Sequence, residues 1–203
     1  MRTRLSKSDR RKEILQEARE VFVEKGLAGA EMEDIRLACG ISRGGLYHHF
    51  SNKRAVLDAL VEEEVSSLAN VLKAPNVAPI PALLRAGSSH LGADKGIIMA
   101  LNTLADRRDY LSALESAFAS LLTERLSESL VGYVREGVNP SHVAELFLTI
   151  NTHINRREIL GQWSSAEAAS FAITSLEAFA PLLKNPSELA PIIAELKQKG
   201  VSQ

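Results

Sequence analysis

The chain has 203 residues, 45% of them hydrophobic and 24% charged, with a net charge of −1. That balance supports a packed core and excludes wholesale disorder. The single cysteine, Cys39, excludes an internal disulfide framework and a cysteine-based zinc site, and it fits a reducing compartment.

The net charge hides an asymmetry. Residues 1–54 hold 12 Lys and Arg against 8 Asp and Glu, whereas 55–203 hold 12 against 17. A basic head on an acidic body directs only the head toward a polyanion. The Arg- and Lys-rich start lacks the apolar run of a secretory signal, and no stretch is long and apolar enough for a bilayer span. A soluble cytoplasmic protein with no membrane partner is expected.

The pattern is helical throughout, without sustained period-two alternation or an Asn-Gly or Asp-Gly hairpin signal, so the expected fold is all-α with about nine to ten helices. Ser8 can cap a first helix in which Ile14, Leu15, Ala18, Val21 and Phe22 share a face, and Gly26 ends it in a left-handed conformation. A short second helix runs from about Glu31 to Cys39 and is closed by Gly40. Ile41 packs inward, and Ser42 caps a third helix from Arg43 to about Phe50. Ser51 or Asn52 caps a fourth, striped by Val56, Leu57, Leu60, Val61, Val65, Leu68 and Leu72.

Pro75, Pro79 and Pro81 mark the one clear break. Helices are expected near 81–90, 94–107 and 110–136. Asn139-Pro140 then opens a longer one to about Gln162. Ser164 to Glu167 reads as a capping box, Pro181 ends or kinks the helix that follows, and a last helix covers about 187–199.

Two short helices joined by Cys39-Gly40-Ile41-Ser42 are the sequence form of a helix-turn-helix. A tight turn swings the third helix across the second so that its outer face can enter a major groove. The run Asp34-Ile35, Ala38, Gly40-Ile41-Ser42, Gly44, Leu46 to Phe50 and Lys53 resembles the DNA-binding signature of TetR family regulators. The resemblance covers about residues 9–60. Beyond it, only length, helicity and helix order are similar.

Roles follow from chemistry with the resemblance as support. Arg43 can reach guanine O6 and N7 or grip a phosphate, and Gly44 lets the helix start approach a phosphate closely. Tyr47 resembles the family's phosphate-contacting tyrosine, and His48 is the candidate for a base or thymine-methyl contact. His49 and Lys53 match positions that hold phosphates in the family. Ser42 caps the reading helix, while Ile35, Ala38, Leu46 and Phe50 are expected in the core. Several positions depart from the family's pattern: Ala30 stands where Thr or Ser is usual, Glu31 cannot favour a phosphate, Arg36 replaces a small residue, and Gly45 removes one side-chain reader. Arg36 is left to a phosphate contact or to solvent.

The resemblance further implies a head over 1–54 and a helical effector-binding and dimerisation domain over 55–203. It implies a homodimer on a near-palindromic operator, acting most plainly as a repressor released by a small-molecule effector of unspecified identity. Leu68, Phe118, Leu122, Phe147 and Asn151 are expected to border the effector pocket. Ile150, Ile154, Ala168, Ala172, Leu176 and Phe179 form stripes expected at the dimer interface. The amides of Asn151 and Asn155 suit either a cavity or an interface. Adjacent helical His48 and His49 diverge by about 100°, and His90, His142 and His153 show no i,i+4 pairing, so no metal or other cofactor is expected. Phosphate loops, a Ser-His-Asp order and telling carboxylate pairs are missing, which argues against an enzyme. An architectural DNA-binding protein without an effector is the other alternative.

Overall fold

A computed structural model describes residues 6–74, 77–90 and 97–201. Among them are ten α-helices: α1 (Lys7–Gly29), α2 (Met32–Cys39), α3 (Arg43–His49), α4 (Lys53–Asn70), α5 (Pro79–His90), α6 (Leu104–Leu121), α7 (Thr123–Leu130), α8 (Pro140–Ile159), α9 (Ser165–Phe179) and α10 (Ala190–Val201). Among the described residues extended pairing is limited to an isolated antiparallel bridge between Val134 and Leu183, so the all-α expectation holds. No helix among the described residues is long and apolar enough to cross a membrane. Pro75 and the start of the helix expected at 94–107 lie outside the described residues.

The chain forms two compact units, one drawn from within Met1–Glu63 and His90–Leu114, the other from within Glu64–Ser89 and Glu115–Gln203. In the first, Ile14, Leu15, Ala18, Val21 and Phe22 of α1 are buried as the periodicity predicts, together with Ile35, Cys39, Leu46, Phe50, Val56, Leu57 and Leu60. Each such large apolar side chain withdrawn from water contributes about 1.5–3 kcal/mol. Ala38, expected in this core, is exposed instead. Ile35 and Cys39 are spaced i,i+4 on the inner face of α2, and position 38 is turned about 100° away from Cys39.

Three local bonds set where the first helices stop and start. Ser6, rather than Ser8, caps α1: its Oγ accepts from the Asp9 N–H at 3.1 Å. Gly26 interrupts α1 at φ 75° and ψ 157°, which is a region open in practice to glycine alone and not the left-handed helical cap expected. A Cβ there would also meet Asn102 Nδ2 at 2.6 Å, in the segment just after the 3-10 turn Ile97–Ala100 that packs on α1. Lys25 Nζ pairs with Asp34 Oδ1 at 2.6 Å, and Asp34 Oδ2 accepts from the Glu31 N–H at 2.9 Å. The Lys25 ammonium first, and then the Glu31 amide, hold the Asp34 carboxyl below its ordinary value.

Lys53 opens α4 and reaches back to the end of α1. Its Nζ donates to the carbonyls of Leu27, Ala28 and Ala30 at 2.8, 3.2 and 2.7 Å. An ammonium has three donors, and three carbonyl oxygens left over at a helix end meet them. Asn52 Oδ1 caps the same helix by accepting from the Ala55 N–H at 2.9 Å.

In the second unit α7 packs on α8, α8 on α9 and α9 on α10, while Arg85 of α5 pairs with Glu195 of α10 at 2.9 Å. Two starts are as read from sequence: Asn139 and Pro140 open α8, and the Ser164 and Glu167 side chains cap α9 reciprocally. Two boundaries differ. A helix begins at Leu104 because Thr103 and Asp106 form an unforeseen reciprocal cap, with bonds of 2.9 and 3.1 Å. It then runs unbroken past 107–110 to Leu121. The helix expected to reach 136 ends at Leu130, because residues 133–135 turn extended to bond with 182–184.

Gly26→Ala forces a side chain into a glycine-only conformation and against Asn102. The expected loss is about 1–3 kcal/mol of stability in urea unfolding. Lys53→Met keeps the apolar stem and strips the charge from three carbonyls, for an expected loss of about 1.5–3 kcal/mol on the same measurement. Unfolding curves superimposable on the parent's would reject both locks.

Candidate nucleic-acid interface

The turn between α2 and α3 is held at both ends. Gly40 sits at φ 60° and ψ 37°, the left-handed conformation that costs a glycine nothing. Its N–H donates to the Leu37 carbonyl at 3.1 Å, and the Ile41 N–H donates to Arg36 at 3.3 Å, so the last carbonyls of α2 are satisfied. On the far side Ser42 Oγ accepts from the Gly45 N–H at 3.1 Å and starts α3. A Cβ on Gly45 would stand 3.2 Å from that same oxygen, so this small residue fits the cap tightly.

Arg36 neither faces solvent alone nor points outward for a phosphate. Its Nη1 donates to the Ile41 carbonyl at 2.9 Å, while Nε and Nη2 fork onto Glu33 at 2.7–3.0 Å. The guanidinium thus straps the turn to α2. The Glu33 carboxyl is held below its ordinary value chiefly by the Arg36 bond. Sequence reasoning missed this role, although Glu33 and Arg36 stand at the i,i+3 spacing that makes helix neighbours.

Leu46 and Phe50 anchor the inner side of α3, at 0% and 2% exposure. Its outer side presents Arg43, Gly44, Tyr47 and His48, all exposed, beside the exposed cap Ser42. Nothing lies within 4 Å of a Cβ built on Gly44, so the helix start is open to a close approach. The Arg43 guanidinium lies 5.7 Å from the centre of the Tyr47 ring, which is 43% exposed. Arg43, Tyr47 and His48 occupy successive positions of one face, and their donors are those that read base edges and grip phosphates.

Next to this face lies a hollow lined by Lys7, Ser8 and Arg11 of α1 and by His48 and His49 of α3. The two imidazoles meet edge to face at 5.4 Å, and the Arg11 guanidinium sits 4.3 Å above the Phe50 ring. Burial first, and then the charges of His48, Lys7, Arg11 and Arg10, hold the His49 imidazole below its ordinary value. Lys7 and Arg11 were not singled out in the sequence. Their i,i+4 spacing in the basic arm was the available signal. Lys53, the remaining expected phosphate contact, has its ammonium on the carbonyls of Leu27 and Ala28 in α1 and of Ala30 just beyond it. Cys39 is buried, and that burial, with Glu17 and Glu13 adding to it, pushes its thiol up to about 11, so the reactive thiolate is scarce at neutral pH.

In the second unit the residues expected in a pocket do not all meet. Phe147 and Asn151 line a cavity of about 20 Å³ together with Leu84, Ile150, Ile154, Ala172, Ser175, Leu176 and Phe179. Leu68, Phe118 and Leu122 are buried but are not part of its wall. Expected pocket and interface residues therefore share one crevice. Ala168, Ala172, Leu176 and Phe179 are already at most 8% exposed within a single chain, and Phe179 meets Phe147 edge to face at 6.2 Å. The large apolar groups left outward on α8 and α9 are Leu146, 53% exposed, and Phe171, 39% exposed. Phe171 clusters with Trp163 and His153 at ring separations of 5.1 and 5.8 Å.

Comparison with known proteins places this geometry. Residues 14–60 match the family model described as bacterial regulatory proteins, tetR family. The HTH-type transcriptional repressor AcnR of Corynebacterium diphtheriae is 42% identical over 65 residues, 32% of this chain and 34% of that repressor, so the chain spans about a third of this relative's length. Among solved structures, NalD, the secondary repressor of the MexAB-OprM multidrug efflux pump in Pseudomonas aeruginosa, is similar in fold with a TM-score of 0.53 at 20% identity, over 88% of this chain and 99% of that one. SmeT, the repressor of the Stenotrophomonas maltophilia multidrug efflux pump SmeDEF, gives 0.55 at 21% identity, over 86% and 90%. At such identity these two report the fold alone. Residues 14–60 are thus similar to the DNA-binding head of the tetR family of bacterial regulatory proteins, and the rest of the chain is similar to solved members in fold alone.

Proposed function

We propose that this chain is a sequence-specific DNA-binding transcription regulator, a repressor that seats two heads of a homodimer on a near-palindromic operator and leaves it when a small molecule binds. The observation that carries this reading is the outer face of α3, where Arg43, Tyr47 and His48 stand exposed on a helix strapped in place by Gly40, Arg36 and Ser42. DNA binding falls to residues 1–54 and effector binding and dimerisation to 55–203. One recognition helix covers one half-site, and useful affinity takes two held at fixed spacing. Lys53 contributes by holding α1 to the start of α4.

The second copy covers the side of α8 and α9 that carries Leu146, Ile150, Ile154 and Phe171. The effector enters the crevice of Phe147, Asn151 and Ser175. At about 20 Å³ that crevice holds a water and no more, so binding has to part α8 from α9 or α5. Its lining selects an apolar ligand fixed by one or two polar groups. Helix α4 is the coupling element, since its residues up to Glu63 belong to one unit and those from Glu64 to the other. A coupling of about 1–3 kcal/mol, carried by a shift of α4, is enough to release one operator.

Selection from a random duplex library should enrich a near-palindrome. Arg43→Ala and His48→Ala should then each weaken binding to it by about 1–3 kcal/mol and relax preference at particular base pairs. Full affinity and unchanged preference in both variants would reject the reading face.

Phe171→Glu tests assembly better than a change at buried Ala172, because Phe171 is exposed in the single chain. Sedimentation should find a folded monomer with operator affinity sharply reduced, whereas a dimer of parental stability would place the interface elsewhere.

A further inference from the structure

We propose that the molecule entering the crevice between α8 and α9 is uncharged and carries a carbonyl oxygen, and that the side-chain amide of Asn155 donates to it. Resting on the effector reading above, this names the chemical class of the ligand and the residue that holds it. Asn155 is only 8% exposed, and its Nδ2 is shut off from solvent with no hydrogen-bond partner among the described residues. A buried amide donor left unpaired is costly, and native chains rarely keep one without a use. Its surroundings explain why the chain does not serve it. Phe147 meets Phe179, and Ser165 Oγ donates to Glu158 Oε1 at 2.7 Å, so α8 and α9 run antiparallel with Asn155 level with residues 168–171. The buried side chains at that level, Ala168 and Ala169, are methyl groups.

The amide lies one turn beyond Asn151 on the same face of α8, about 6 Å along the helix axis. Asn151 and Ile154 line the crevice, whereas Asn155 is not part of its wall. Entry of a ligand has to widen the crevice, and parting α8 from α9 lengthens it toward Asn155. From Phe147 to Asn155 the helix rises about 12 Å, which sets the reach of the ligand. Charge decides its class. No ionisable residue lines the crevice, and Ser175 in its wall already donates to the Phe171 carbonyl at 2.8 Å. The charged groups that follow Asn155 on α8 are engaged elsewhere. Arg156 pairs with Glu115, Arg157 lies over the Trp163 ring and donates to Gln162, and Glu158 accepts from Ser165. A carboxylate or an ammonium would thus enter with no opposite charge to meet it, at a desolvation cost that a neutral carbonyl avoids. A hydrocarbon avoids that cost as well, but it leaves the amide unpaired.

The test titrates the full-length protein, by calorimetry and NMR, with uncharged ketones and lactones, each beside its matched hydrocarbon and carboxylate. Butyrophenone, butylbenzene and phenylbutyrate form one such set. The ketone should bind about tenfold tighter than its hydrocarbon, with the carboxylate weakest, and the side-chain amide signals of Asn155 should move on binding. Asn155→Leu keeps the volume close and removes the donor. It should erase the preference for ketone over hydrocarbon, and it should raise the Tm of the free protein by about 2–4 °C, because an unpaired buried donor is gone. A preference that survives Asn155→Leu overturns the inference. So does a lower Tm in that variant, since the amide then has a structural partner. Tightest binding by the carboxylates overturns the uncharged class. Equal binding of ketones and hydrocarbons overturns the role of Asn155 and leaves the effector reading standing. Binding that follows the expected pattern yet leaves affinity for a selected duplex unchanged supports the carbonyl site and overturns the effector reading. Absence of binding by every compound overturns both.

Discussion

Everything in the head depends on one short turn. A helix of eight residues and one of seven have no independent stability, because nucleation costs more than so few hydrogen bonds return. The aim of α3 is therefore set from outside it. Gly40 supplies the backbone conformation, Arg36 straps the Ile41 carbonyl to Glu33, and Ser42 satisfies the first amides. Leu46 and Phe50 then fix rotation about the helix axis by burying one side. What remains outward, Arg43, Tyr47 and His48, is presented on a rigid frame, as readout of base edges requires.

The cations of the head divide into two groups by what they touch. Lys25, Arg36 and Lys53 meet carboxylates or carbonyls of the chain and act as fasteners. Lys7 and Arg11 line the hollow beside α3, Arg11 over the Phe50 ring, and Arg43 lies over the Tyr47 ring. A count of +4 for residues 1–54 makes no such distinction. Cations already bonded within the chain release no counterions to a polyanion, so the proposed DNA binding should depend on salt less steeply than the number of basic residues suggests.

Much of the architecture was legible because its signals are local. Gly40 and Ser42, Asn139 with Pro140, and the Ser164 to Glu167 pair each close their own bonds within a few residues, and each terminus stands where it was read. The stripe of α1 likewise follows from its spacing alone. What escaped the sequence is long in range. Nothing near Lys53 announces the three carbonyls at the end of α1 and its cap, nor does anything near Gly26 announce Asn102. The end of α7 is decided by a segment fifty residues later, through the pairing of Val134 with Leu183. Ala38 was misplaced for a different reason: α2 is so short that its inner face has room for only Ile35 and Cys39. In the body, a single crevice joins residues assigned separately to pocket and interface, since periodicity identifies an apolar face without saying what covers it.

The claim at the centre is that DNA meets this chain on the outer face of α3 and the neighbouring start of α1, held by the turn. Amide hydrogen exchange, compared with and without a selected duplex, tests it directly. Protection should rise over residues 40–49 and 7–11, where backbone amides come under or beside the duplex, with the largest change at the start of α3. Protection that changes only in α8 to α10, with residues 40–49 exchanging as in the free protein, would contradict the account.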